Sequence, residues 1–130
     1  MPMHARRGIS LFEAVAAMAI VGVIAASALS ATGAEMRAVE RSRRALEGEA
    51  LATQRLDYLD MLTDLQLQSL PDTVAKGKFD APLDEYQWET TATPVAEQGG
   101  VYDVRIRIVW PGNSYAVRTY AYRRPAVASR

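Results

Sequence analysis

Few residues of this 130-residue chain have side chains suited to chemistry, and the most telling of them stand close together. Glu13 is an acid at the mouth of a long apolar run, and His4, Arg6, Arg7 and Gly8 precede it. Cysteine is absent and His4 is the sole histidine, which removes thiol nucleophiles, disulfide frameworks and Cys-based zinc sites. A hydrolase would need a nucleophile beside a base, but there is no cysteine, and the one histidine, His4, stands before the apolar run in what reads as a leader. Lys plus Arg equal Asp plus Glu at 15 each, so no net field favours nucleic acid as a partner. The expectation is a protein that is not an enzyme and holds neither cofactor nor metal.

The element that must position Glu13 is the run behind it. Residues 14–34 carry no charge, and as a helix rising about 1.5 Å per residue they cover a hydrocarbon core of about 30 Å. Alanines, Gly22 and Ser27 give this span small side chains that let helices approach closely. The basic cluster before it stays in the cytoplasm by the positive-inside rule, which directs the rest of the chain outward. Two plain readings fit so far. One is a secretory signal peptide cut near Ala26-Ser27-Ala28, and the other is a single lipid-facing anchor.

Glu13 separates these readings from a third. A carboxylate costs roughly 2.5 kcal/mol or more near the centre of a bilayer and calls for a counter-charge. Cleavage after Gly8 would create one, the new α-amino group of Ile9, four residues before Glu13 and one helical turn away.

Arg6-Arg7-Gly8, then Ile9-Ser10-Leu11-Phe12-Glu13 and an unbroken apolar helix, together resemble the class III signal of type IV pilins and type II secretion pseudopilins. The resemblance implies that a membrane-embedded prepilin peptidase cuts between Gly8 and Ile9 and that Ile9 is then N-methylated. It also implies that Glu13 neutralises the ammonium at Ile9 of a neighbouring subunit during assembly. In a lipid-like filament core, correct axial stagger then removes two unpaired charges together.

Beyond Gly33 the sequence turns polar, with Glu35, Arg37, Glu40, Arg41, Arg43, Arg44, Glu47 and Glu49 mixing signs as on a solvated helix face. Leu51, Tyr58, Leu62 and Leu65 recur at helical spacing and form the expected buried stripe, while Asp57, Asp60 and Asp64 form an acidic, solvated face. Pro71 is expected to end the helix. Residues 71–85 read as a loop, and three strands follow at 86–93, 101–110 and 115–123. In the middle strand Tyr102, Val104, Ile106, Ile108 and Trp110 alternate with Asp103, Arg105 and Arg107.

The expected fold class is α+β and pilin-like: a long N-terminal helix, apolar and then amphipathic, packed on a small antiparallel three-stranded sheet. The expected domains are a leader peptide at 1–8, a transmembrane and assembly helix at 9–34, and a periplasmic head at 35–130. Within the head, helix is expected over 35–70, loop over 71–85 and sheet over 86–124. The head's size and the segment Glu49 to Leu62 look most like minor pseudopilin I of type II secretion. That resemblance implies an inner-membrane, single-pass subunit at the pseudopilus tip that helps start assembly and supports export across the outer membrane. Its partners would be other minor pseudopilins, the major pseudopilin, the prepilin peptidase and the inner membrane. A minor pilin priming type IV pilus assembly is the neighbouring alternative, and an ordinary anchored or secreted binding domain is the more distant one.

Overall fold

The computed structural model describes residues 10–125, which divide into two compact units on either side of the Arg41–Ser42 junction. In the first unit the described chain is a single element, the beginning of helix α1 (Leu11–Asp60). Its apolar side chains, among them Phe12, Val15, Ile20, Val23 and Leu29, are exposed on all sides. The stretch reaches a mean hydropathy of 2.2 over 18 residues, long and apolar enough to cross a membrane. A helix meets that need because each backbone N–H finds its carbonyl within the same segment. The embedded hydroxyls follow the same rule: Ser27 Oγ donates to the Val23 carbonyl at 2.9 Å and Thr32 Oγ1 to the Ala28 carbonyl at 3.0 Å.

The second unit opens with the remainder of α1 and continues through α2 (Asp64–Gln68), α3 (Asp72–Ala75), β1 (Lys76–Lys78), β2 (Gln87–Pro94), β3 (Val101–Trp110) and β4 (Asn113–Tyr122). The strands form one antiparallel sheet in the order β1-β2-β3-β4. The α+β, pilin-like architecture is therefore the expected one, with four strands instead of three. The extra strand, Lys76-Gly77-Lys78, lies in the segment expected to be loop because it has no apolar period. It exists through its partner: Gly77 stands opposite Trp88, and the indole covers the glycine so closely that a Cβ there would collide with the ring.

The helix also ends sooner than expected, at Asp60 and not near residue 70. Two interactions, one local and one long-range, accompany the break. Thr63 begins a new helix through a capping box, its backbone N–H donating to Gln66 Oε1 at 3.0 Å and the Gln66 N–H to Thr63 Oγ1 at 3.4 Å. Arg123, just beyond β4, donates from Nε to the Leu62 carbonyl and from Nη2 to the Leu59 carbonyl, both at 2.9 Å. The last turn of α1 contains no cation of its own, so Arg123 supplies the charge that the helix C-terminus favours. Pro71 stands at the head of α3 and does not terminate α1.

The break shifts the buried stripe. Leu51 and Leu62 are buried as expected, but Tyr58 is 43% exposed and Leu65 67%. The face that meets the sheet runs through Gly48, Leu51, Ala52, Leu59 and Leu62, and α2 contributes Leu67 in place of Leu65. Against it lie Tyr102, Val104, Ile106, Ile108 and Trp110 of β3, all buried, in the alternation read from the sequence. Gly48 is what lets the helix approach. A Cβ at that position would lie 2.8 Å from Trp110 Cζ3 and 3.1 Å from Cη2, inside van der Waals contact with a buried ring.

Two consequences can be measured by denaturing the detergent-extracted, full-length protein and following tryptophan fluorescence. Gly48→Ala gains roughly 1 kcal/mol of intrinsic helix preference, yet overpacking against Trp110 costs roughly 1–3 kcal/mol. The variant should therefore be less stable than the parent, and Gly48→Val less stable again. Arg123→Met, which frees two buried carbonyls, should cost roughly 1–3 kcal/mol.

Candidate assembly site

Glu13 lies in the first turn of α1, where the structure gives it a partner. The Ser10 backbone N–H donates to Glu13 Oε2 at 3.1 Å, the Ser10 hydroxyl approaches the same oxygen at 3.4 Å, and the Glu13 N–H donates to Ser10 Oγ at 3.2 Å. This reciprocal pair is a capping box, and it sets a carboxylate beside the helix N-terminus, where the macrodipole favours negative charge. The Ser-x-x-Glu spacing is present in the sequence, so this second role of Glu13 is legible there. Gly8 and Ile9, the residues of the expected cut and methylation, lie outside the described residues.

The head is fastened by polar contacts at the edges of its core. Tyr86, which just precedes β2, is almost wholly buried and donates its hydroxyl to Glu47 Oε2 at 2.6 Å. Glu47 in turn pairs with Arg43 one turn earlier, and Arg44 reaches Glu85 at 3.5 Å. Tyr102 donates to Asp64 Oδ1 at 2.6 Å, and Arg123 approaches Asp60 at 3.6 Å. Of the expected acidic, solvated face, Asp64 thus helps to fasten the head, while Asp57 and Asp60 stay exposed. Among the described residues no group of three metal-ligating side chains gathers.

Among the aromatic residues of the sheet, Trp110 is core and Trp88 is half-buried, with the Phe79 ring edge-on at 4.8 Å. Tyr120 and Tyr122 are exposed on the opposite face of the sheet. They share that face with Asp103 and Arg118, which form a two-point ion pair at 2.8 and 2.9 Å. The Arg118 guanidinium holds the Asp103 carboxyl below the usual carboxylate range.

A membrane-length apolar helix followed by a small head with a single antiparallel sheet defines a type IV pilin-like protein. Within that class, the sequence is 33% identical over 110 residues to type II secretion system protein I of Pseudomonas aeruginosa, an alignment covering 83% of this chain and 78% of the relative. The chain belongs to that family, the minor pseudopilins I of type II secretion, as its resemblance led us to expect. The relative is named for a secretion system and not for a catalytic activity. No family model matches the sequence, and no solved structure matches it. The apolar helix and the family together fit an inner-membrane anchor.

The two buried phenols give the head a defined alkaline limit. Burial first, then the Glu47 carboxylate, push the Tyr86 hydroxyl from its ordinary 10 up to about 12. The Asp64 hydrogen bond, with burial behind it, raises Tyr102 as well. Both folded values lie above the unfolded ones, so the stabilisation is complete below pH 10 and is lost as pH climbs towards 12. Equilibrium unfolding across that interval should show a steep fall in stability, and Tyr86→Phe should flatten it.

Proposed function

We propose that this chain is a tip-proximal minor pseudopilin, matured by cleavage between Gly8 and Ile9 and methylated on the Ile9 amine. Its head faces the periplasm, and it joins other minor pseudopilins and the major pseudopilin to help start the pseudopilus that supports export across the outer membrane. The observation that carries this reading is Glu13, an acid in the first turn of a membrane-length helix, in a chain related over most of its length to protein I of a type II secretion system. The same relationship favours type II secretion over a type IV pilus.

Glu13 has two tasks under this proposal, in sequence. Before assembly the capping box holds the carboxylate against the chain's own Ser10, which lowers the cost of an acid at the membrane boundary. On assembly the ammonium at Ile9 of a neighbouring subunit takes over, because a full positive charge in a low-dielectric core outcompetes neutral donors. A subunit out of register leaves both charges unpaired, so the exchange selects the axial stagger.

N-terminal sequencing of the mature protein should begin at Ile9, and Gly8→Val should retain the leader. A start at Leu29 would instead assign an ordinary signal peptide. Glu13→Gln separates the two tasks, because glutamine serves a capping box as glutamate does but carries no charge. It should be processed normally yet lose roughly tenfold or more in incorporation alongside partner subunits. Ser10→Ala keeps the charge and loses the box, and it should incorporate far better than Glu13→Gln. Equal incorporation of Glu13→Gln and the parent would exclude charge pairing.

A further inference from the structure

Three cations of the head are half-buried among the described residues: Arg44, Arg55 and Arg123. Two of them are answered within the fold, Arg44 by Glu85 and Arg123 by Asp60 and two helix carbonyls. Arg55 is different. Its guanidinium carbon lies 4.2 Å from the centroid of the Trp88 ring and 5.1 Å from that of Tyr58, held by aromatic faces and by no described carboxylate. Its Nε is buried without a hydrogen-bond partner in the protein, as are the Trp88 indole Nε1 and the Thr90 hydroxyl. Trp88 and Thr90 are two residues apart on the inward face of β2, so these polar atoms belong to one neighbourhood beside α1. Burial depresses the hold of Arg55 on its proton, although Tyr58 opposes that effect.

An unanswered guanidinium in such a place opposes folding, and aromatic stacking offsets only part of the cost. Its planar fork remains suited to receiving two carboxylate oxygens. The surface beside it fits a protein partner. Tyr58, stacked on Arg55, is 43% exposed, giving an arginine framed by two aromatic residues, types enriched at the centres of interfaces. Asp57, Asp60 and Asp64 lie on the same stretch of chain, so a polyanion such as nucleic acid or an anionic lipid surface would be repelled. A single acid carried on an apolar protein surface would not.

We propose that Arg55, framed by Trp88 and Tyr58, is the socket for one Asp or Glu side chain of a partner subunit. This inference rests on the reading of the chain as an assembling subunit and names the contact through which its head engages a neighbour.

The test co-expresses the full-length chain with the other pseudopilins of its own secretion system and extracts them together in detergent. Arg55→Met retains the apolar stem and removes the unanswered charge. Its Tm should be unchanged or higher, while co-purification with the partner subunits falls about tenfold or more. Arg55→Glu should abolish association, and an acid-to-arginine change on the partner should restore it. In the wild-type complex the indole N–H resonance of Trp88 should shift more than that of Trp110. If Arg55→Met associates as well as the parent, or if no partner acid rescues Arg55→Glu, the socket is overturned and the pseudopilin reading stands. If Arg55→Met lowers Tm and association in parallel, Arg55 has a structural role only and the socket is again overturned. If the wild-type chain associates with none of the co-expressed subunits, the proposed function falls, and this inference with it.

Discussion

A peptide backbone in hydrocarbon has to satisfy every N–H and C=O from within, and the construction of this protein depends on that constraint. Helix α1 meets it alone over its apolar stretch, and its two embedded hydroxyls return to carbonyls one turn back. The only charged side chain at the start of that stretch, Glu13, sits where unsatisfied N–H groups and the helix dipole make a carboxylate least costly. One residue type therefore serves the helix locally and remains available to a neighbour. The working parts of this picture are a charge, a helix end and a surface.

The head solves a different problem, that of holding a small sheet against one face of a helix with few apolar residues to spare. Its answer is close approach in place of bulk. Gly48 brings the helix backbone down to the Trp110 ring, and Gly77 lets the Trp88 indole lie flat across the short edge strand. Buried phenols and one arginine then tie the periphery, each linking elements far apart in sequence: Tyr86 to Glu47, Tyr102 to Asp64, Arg123 to the end of α1. Hydrogen bonds to charged partners contribute about 1.5–3 kcal/mol each, so a handful of them matters in a core of this size.

Legibility in the sequence followed the range of the interactions. The middle strand was readable residue by residue because alternation is a local signal, and its bounds at 101–110 coincide with β3. The apolar span was readable for the same reason. The edge strand β1 was not, since Lys76-Gly77-Lys78 has no pattern and depends on Trp88 across the sheet. The end of α1 was half-readable. Thr63-x-x-Gln66 announces a new helix start, but the Arg123 cap arrives from more than 60 residues away. The break takes Leu65 out of the stripe, while Gly48 is a point of contact that no apolar pattern marks. At the candidate site, Glu13 is legible from its oddness in an apolar setting, whereas Arg55 carries no local signal that singles it out. Only the packing of Trp88 upon it sets it apart.

The Arg123 cap ties the closing of the helix end to the arrival of residue 123. Leu59 and Arg123 are 64 positions apart, and Arg123 follows the final strand. While the chain is growing on the ribosome, the carbonyls at the end of α1 lack this partner until residue 123 has emerged. Because the same arginine follows directly on β4, the sheet's last strand and the helix end are secured together, and a chain truncated before residue 123 would lose the latch as well as its anchoring cation. The head is thereby built to close late, as a unit, with its C-terminal segment acting as the final stitch.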